Sequence, residues 1–293
     1  MILNQANNYR KTRIAPTPSG FLHLGNVFSF ALTAALAQEN QAKVLLRVDD
    51  LDQARVNKQY IQDIFDTLEF LEIPWDEGPK NIKEFEDGWS QQHRLDNYNE
   101  AIGKLCENDL VFACVCSRQQ IRALADCNCR QKQIPLDTAN TALRLITDDK
   151  KLTIKNHKRQ ATEAILPKEM RNFIVRRRDG LPSYQLTSVV DDLFYGIDLV
   201  VRGKDLWAST LAQHSLASAL GEHGFNDIFF YHHSLLIAEG GKKLSKSAGA
   251  TSVRYLRENG KKPSDIFMLI AGMLGVNKNA NTWEELAASI NKC

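Results

Sequence analysis

The first part of the chain alternates between strand-like and helix-like segments, and this alternation restricts the fold more than any other feature. Residues 12–15 and 43–48 are short runs of the kind found in buried parallel strands. Residues 25–38 and 57–71 follow them with apolar side chains at helical spacing. The order strand, helix, strand, helix predicts a doubly wound α/β domain with a parallel sheet.

A loop punctuated by proline and glycine joins the first strand to the first helix. Gly20 and Gly25 allow the backbone to approach a ligand closely, and the helix N-terminus favours a triphosphate. His23 can donate a hydrogen bond to a developing oxyanion, and Asn26 can add a second donor. Taken alone, this loop leaves a purely structural role open.

A second segment, residues 242–247, combines three lysines with two serines. Lys243 and Lys246 can neutralise a pyrophosphate leaving group, and Ser245 can hydrogen-bond phosphate oxygens. Glycines on both sides supply mobility. The alternative for this segment in isolation is a solvated basic surface loop.

Together and in this order, the two loops resemble the ATP-binding motifs of class I aminoacyl-tRNA synthetases. Three further segments resemble the glutamyl-type enzymes, namely Leu46–Asp52, Pro182–Asp192 and Val201–Leu206. The resemblance implies a Rossmann-type catalytic domain with an inserted α+β subdomain and a short helical tail. It also implies that glutamate attacks ATP to give glutamyl-adenylate, with Mg²⁺ accompanying the nucleotide.

The resemblance carries an amino-acid site over to five positions of this chain. Arg13 and Arg202 match residues that hold the carboxylates of glutamate, which a guanidinium can pair in bidentate fashion. Tyr184 matches a hydroxyl that fixes the side-chain carboxylate, and Asp49 matches the acid that receives the α-ammonium. The family usually has serine at position 17 and glutamate at position 49, where this chain has Thr17 and Asp49.

One branch of the family fits the sequence best. Val201–Leu206 is similar to the shortened enzymes that attach glutamate to queuosine in the anticodon loop of tRNA(Asp), and the chain ends soon after the lysine loop. These features predict an acceptor in the tRNA(Asp) anticodon arm. Three alternatives stay open: a truncated glutamyl-tRNA synthetase, a non-catalytic RNA-binding paralogue and a small-molecule adenylyltransferase of the same superfamily.

Four of the six cysteines form two C-x-C pairs separated by ten residues. In a cytosolic chain this spacing favours a metal over disulfides, and the shortened branch often has zinc in its insertion. The predicted ligands of one structural Zn²⁺ are Cys114, Cys116, Cys127 and Cys129. Reduced free thiols are the alternative, and Cys106 and Cys293 are assigned no role.

Composition and patterning set broader limits. The 293 residues have 43% hydrophobic content and a formal net charge of only +2, so the chain is not predicted to be disordered and any basic RNA surface must be local. No apolar run or leader-like N-terminus is present, so we expect a cytoplasmic monomer without a membrane partner. The predicted organisation is two catalytic halves, 1–95 and 171–250, an insertion, 96–170, and a tail, 251–293.

Overall fold

A computed structural model describes most of the chain as two compact units. The described residues are 9–117, 119–121, 127–236, 252–276 and 280–290. Lys243, Ser245 and Lys246 lie outside them. Unit 1 contains residues 1–93, 197–205 and 229–293, and unit 2 contains residues 94–196 and 206–228. Each unit is presented by itself. The division groups residues 171–196 with the cysteine-bearing segment, and the domain boundaries stay a prediction.

The secondary structure follows the alternation expected from the sequence. The strands are β1 (Lys11–Ile14), β2 (Lys43–Leu46), β3 (Val111–Cys114), β4 (Ala142–Leu145), β5 (Lys151–Asn156), β6 (Ala161–Ile165), β7 (Ile174–Arg176), β8 (Leu199–Gly203) and β9 (Phe229–His233). The helices are α1 (Leu24–Asn40), α2 (Lys58–Phe70), α3 (Ile82–Glu84), α4 (Leu95–Glu107), α5 (Tyr184–Phe194), α6 (Trp207–Leu220), α7 (Val253–Glu258), α8 (Pro263–Leu274) and α9 (Trp283–Ile290).

Unit 1 is built on a parallel sheet in the order β2–β1–β8–β9. The apolar residues of β2 and β8 are buried, as is typical of parallel strands that helices cover. Helix α1 belongs to the unit's core, with Val27, Phe28 and Ala31 almost fully buried. The predicted α/β class with a parallel sheet is confirmed. No helix in the described ranges is long and apolar enough to cross a bilayer.

Unit 2 combines helices with antiparallel strands. Strands β3, β4 and β7 form a three-stranded antiparallel sheet, and β5 pairs with β6 as a hairpin. Helices α4, α5 and α6 contact one another. A capping box follows β3, because Ser117 Oγ accepts from the Gln120 N–H at 3.2 Å and Gln120 Oε1 accepts from the Ser117 N–H at 2.8 Å.

A buried ion pair fixes α5 against the start of α4. Arg94 donates two hydrogen bonds to Asp191, at 2.8 and 3.1 Å, and the hydroxyl of Tyr98 donates a third at 2.7 Å. Burial opposes the charge of Arg94, but the hydrogen bonds to Asp191 outweigh it and raise the pKa of the guanidinium. Because Asp191 is fully buried, its charge depends on these partners.

Removing Asp191 is therefore expected to destabilise unit 2 strongly. Asp191→Ala leaves the Arg94 guanidinium buried without its carboxylate, at a cost of about 3–5 kcal/mol. Glu163→Ala, which breaks the exposed ion pair with Lys151, should cost less than about 1 kcal/mol. Urea unfolding of both variants measures the difference, and equal losses would contradict the structural role given to Asp191.

Candidate active site and metal centre

The candidate site begins at the carboxyl edge of the parallel sheet. Chain order reverses between β1 and β8, and open α/β sheets bind ligands at such a switch point. Backbone hydrogen bonds hold the loops there together, since the Arg47 N–H donates to the Ile14 carbonyl and the Asp49 N–H donates to the Pro16 carbonyl, both at 2.9 Å. The loops after β1 and β2 therefore have a fixed spacing.

Two predicted ligands of a substrate carboxylate lie on adjacent strands of this sheet. Arg13 on β1 is 7% exposed, and Arg202 near the end of β8 is 5% exposed. The Arg202 guanidinium lies over the Phe230 ring, 4.9 Å from its centroid, which orients its plane. Buried guanidinium groups favour anions with two oxygens, such as the carboxylates of glutamate.

Asp49 lies at the same edge and is paired with an arginine that the sequence analysis did not assign. Its carboxylate accepts from Arg47 Nε at 2.7 Å and from Arg47 Nη2 at 3.2 Å, and both side chains are buried. The pair thus places a carboxylate and a guanidinium in contact in a site from which water is largely excluded. An ammonium group approaching Asp49 would share the carboxylate with Arg47.

The neighbouring Asp50 has a structural role. Its carboxylate accepts from the Ser90 hydroxyl at 2.6 Å and from the Gln91 backbone N–H at 2.8 Å. The Gln91 side chain in turn accepts from the Leu51 N–H at 2.9 Å. This buried network holds the loop after β2, and with it Asp49, against residues far along the chain.

His23 forms the N-cap of α1. Its Nδ1 accepts from the Gly25 N–H, and its own backbone N–H donates to Asn26 Oδ1, each at 3.1 Å. With Nδ1 accepting, the neutral ring carries its proton on Nε2 as a donor. Asn26 uses its oxygen in this cap, so the predicted phosphate donor would be its Nδ2. A Cβ at Gly25 would lie 2.9 Å from His23 Cε1, so any other residue there would have to displace the imidazole.

Three other predicted site residues lie in the loop after β1 or in unit 2. Gly20 is half-buried in the loop before His23, and Thr17 is exposed, with its carbonyl accepting from the Ser19 N–H at 2.8 Å. Tyr184 belongs to unit 2, where it begins α5 and is 44% exposed. The structure thus brings Arg13, Asp49 and Arg202 to the edge of one sheet.

The four cysteines of the two C-x-C pairs converge in unit 2. Their sulfur atoms all lie within 4.8 Å of one another, with Cys114 Sγ 3.7 Å from Cys127 Sγ and Cys116 Sγ 3.5 Å from Cys129 Sγ. A tetrahedral zinc with bonds of about 2.3 Å separates its sulfur ligands by about 3.8 Å. The cluster has the composition and spacing of a closed structural zinc site.

Comparison with known proteins agrees with this geometry. The family described as "tRNA synthetases class I (E and Q), catalytic domain" matches residues 10–166 and 137–287. The chain belongs to this family.

The chain is 31% identical over 278 residues to the glutamate–tRNA ligase of Methylobacillus flagellatus, covering 89% of this chain and 57% of that protein. It is 32% identical over 266 residues to a glutamate–tRNA ligase of Coxiella burnetii, covering 86% and 54%. The chain thus spans about half the length of the curated relatives it matches. A crystal structure of a glutamate–tRNA synthetase from Elizabethkingia anophelis superposes with a TM-score of 0.73 at 21% identity, covering 95% of this chain and 65% of that one, and supports the fold.

His233, at the carboxyl end of β9, is a further buried polar residue of this class I domain. Its ring packs edge-on against Phe28 of α1 with centroids 4.7 Å apart, and Nδ1 lies 2.9 Å from the Ser234 carbonyl oxygen. Burial lowers the pKa of His233, so the ring is neutral at physiological pH. Sequence reasoning missed it because a histidine in an apolar strand carries no spacing signal.

The pKa values of the clustered thiols indicate how a bound cation would change their protonation. Burial raises the pKa of Cys127 to about 12 and also raises the pKa of Cys116. In the absence of a cation those thiols stay protonated at neutral pH. A divalent metal reverses this because it binds the thiolates, so binding releases protons and weakens as pH falls.

Zinc analysis tests the four-thiolate site. Freshly purified protein is expected to contain one zinc per chain. Cys127→Ser should lower this content and loosen β3 and the turn at Asn128–Arg130, because a bound metal would join the two. Cys106→Ser on α4 lies outside the cluster and serves as the control. Elemental analysis and hydrogen exchange measure both effects. A metal-free protein with the same protection would leave the free-thiol interpretation.

Proposed function

We propose that the chain activates glutamate with ATP and transfers the glutamyl group to RNA. The observation that carries this proposal is the pair of buried arginines, Arg13 and Arg202, at the switch edge of a class I synthetase sheet. Two buried guanidinium groups suit an amino acid with two carboxylates. The family match and the helix N-terminus at His23 support ATP as the second substrate.

In the proposed first step, a carboxylate oxygen of glutamate attacks the α-phosphorus of ATP. The bond to the bridging oxygen breaks, and pyrophosphate leaves with its electron pair. His23, through Nε2–H, and Asn26 would donate to the developing charge near the α1 N-terminus, while Lys243, Ser245 and Lys246 would bind the leaving pyrophosphate. Gly20 and Gly25 belong to the same phosphate loop, and Mg²⁺ would accompany ATP, held mainly by phosphates and water.

Amino-acid recognition would use the charged residues at the sheet edge. Arg13 and Arg202 would pair the carboxylates of glutamate, and Thr17 and Tyr184 would add hydroxyl groups. Asp49 would receive the α-ammonium, and its pairing with Arg47 limits how far that carboxylate can move. Its side chain is shorter than the usual glutamate of the family by roughly one C–C bond, about 1.5 Å.

For the acceptor we propose queuosine in the anticodon arm of tRNA(Asp). Two features support this choice: the Val201–Leu206 segment and the four-cysteine cluster, since the shortened branch often has zinc in its insertion. A glutamyl-tRNA synthetase that charges the 3′ terminus is the second candidate, favoured by the relatives named above. A cytoplasmic location and a monomeric state are further parts of the proposal.

Adenylation is tested by pyrophosphate exchange. The protein is expected to exchange labelled pyrophosphate into ATP when glutamate and Mg²⁺ are present. Lys246→Ala should lower kcat by about 10²–10³-fold with little change in the KM for glutamate, since the lysine acts on charge that develops in the transition state. Lys261→Ala, at an exposed lysine outside the loop, is the matched control. No exchange with any amino acid, with or without tRNA, would refute the enzymatic proposal.

The acceptor is tested by locating the label. Glutamate should be transferred to tRNA(Asp) that contains queuosine and not to the unmodified transcript, because the modified base supplies the hydroxyl that is acylated. Nuclease digestion after the reaction shows which nucleotide carries the radiolabelled glutamate. Label on the 3′-terminal adenosine would replace this proposal with the glutamyl-tRNA synthetase alternative.

A further inference from the structure

The residue before His23 is held through both of its backbone groups. The Leu22 N–H donates to Asp63 Oδ2 on α2 at 3.0 Å, and the Leu22 carbonyl accepts from the Val253 N–H on α7 at 2.8 Å. Leu22 itself is buried, and Asp63 is 2% exposed. Two helices from different parts of the chain therefore fix the backbone immediately before His23.

Phe21 is fixed by the same two helices. Its ring packs edge-on against Tyr60 of α2, with centroids 4.8 Å apart. The guanidinium of Arg254 on α7 lies over the Phe21 ring, 4.7 Å from its centroid. We call Phe21, Leu22, Tyr60, Asp63 and the first turn of α7 the loop clamp.

A second arginine of α7 contacts the clamp's carboxylate. Arg257 lies 3.8 Å from Asp63 Oδ1 and 3.4 Å from Asp66 Oδ2. These distances are long, so Arg257 only partly compensates the buried charge, and burial raises the pKa of Asp63. An aliphatic residue at this position of α2 would avoid that cost. A carboxylate at this position therefore costs stability. Its hydrogen bond to the Leu22 N–H is the contact that an aliphatic residue could not make.

The clamp also includes the start of α7, which lies next to Ser252. Helix α7 starts directly after Ser252, and the lysine-rich loop precedes Ser252 in the chain. His23 and Ser252 pair through an isolated antiparallel backbone bridge. The histidine of the first loop thus shares a backbone contact with Ser252, which comes five residues after Ser247 in the chain.

We infer that Asp63 is a positioning residue for the reaction of the preceding subsection, on which this inference rests. By holding the Leu22 backbone against α2, Asp63 sets the position of the neighbouring His23 ring relative to the phosphates. A displacement of about 1 Å at a reacting group can lower a rate by about 10²-fold. A merely structural Asp63 would affect stability and the amount of folded protein, but not kcat per folded molecule.

Two variants of Asp63 and one matched control separate these roles. Asp63→Leu replaces the carboxylate with an apolar side chain that cannot accept a hydrogen bond. Asp63→Asn keeps an oxygen that can accept from the Leu22 N–H. Ile64→Ala, at the next position of α2, removes buried apolar volume and supplies a destabilised control. Each variant is measured by glutamate-dependent pyrophosphate exchange, thermal unfolding and hydrogen exchange of the peptide containing Leu22.

We expect Asp63→Leu to lower kcat by about 100-fold and leave the KM for glutamate within about twofold of the parent. Its Leu22 amide should exchange faster with solvent. Asp63→Asn should stay within about fivefold of the parent kcat, because the acceptor is retained. Ile64→Ala should unfold at a lower temperature but keep its kcat when folded.

Two results would overturn the inference. One is a kcat for Asp63→Leu no lower than that of Ile64→Ala. The other is unchanged exchange of the Leu22 amide in Asp63→Leu, which would show that the hydrogen bond does not hold the loop. The amide measurement needs no substrate, so it still decides the clamp if the parent protein shows no exchange of pyrophosphate and the proposed function itself fails.

Discussion

The parallel pairing of β1 with β2 on one side and β8 on the other is the constraint on which the candidate site depends. It makes strands from distant parts of the sequence end at one edge, where a loop can present a side chain without disturbing the sheet. Arg13 and Arg202 become neighbours in this way. The same topology brings the N-terminus of α1 to the edge, because α1 leaves β1 there. Position in the sheet thus supplies a site that no single segment contains.

Several charged side chains are buried at this edge and in the loops beside it, although apolar residues would make the fold more stable. The Arg47–Asp49 pair, Asp50 and Asp63 are each held in low-dielectric surroundings by hydrogen bonds from the backbone or from other side chains. Apolar residues would be less costly at such positions. The arrangement is understandable if polar groups must be preorganised for a charged substrate, because a fixed dipole needs no reorganisation during the reaction. The Arg94–Asp191 pair of unit 2 is also a buried charge pair held by hydrogen bonds, but it joins two helices.

The α/β class, the first two strands and the cysteine cluster could be predicted from the sequence, because each rests on local spacing. The sequence also placed His23 before the first helix. It did not predict that the Asn26 side chain accepts from the His23 N–H, or that the imidazole ring lies where a side chain at position 25 would be. Asp63 was missed for a different reason: an acidic residue on an amphipathic helix is normally exposed, and only the tertiary contact with Leu22 shows otherwise. The lysine loop lies outside the described residues, so its placement stays a prediction.

Backbone hydrogen bonds, more than side-chain packing, determine where the reactive groups lie. Asp49 donates its N–H to Pro16, Leu22 is bound at both backbone groups, and His23 is tied to Ser252. Such contacts do not depend on the identity of the side chain that they position. A substitution such as Glu to Asp at position 49 can therefore change the chemistry offered at the edge without altering the loop that carries it. Because the backbone is fixed and the side chain is exchangeable, the groups that this edge offers to a ligand depend on the residues in its loops and strand ends and not on the sheet itself.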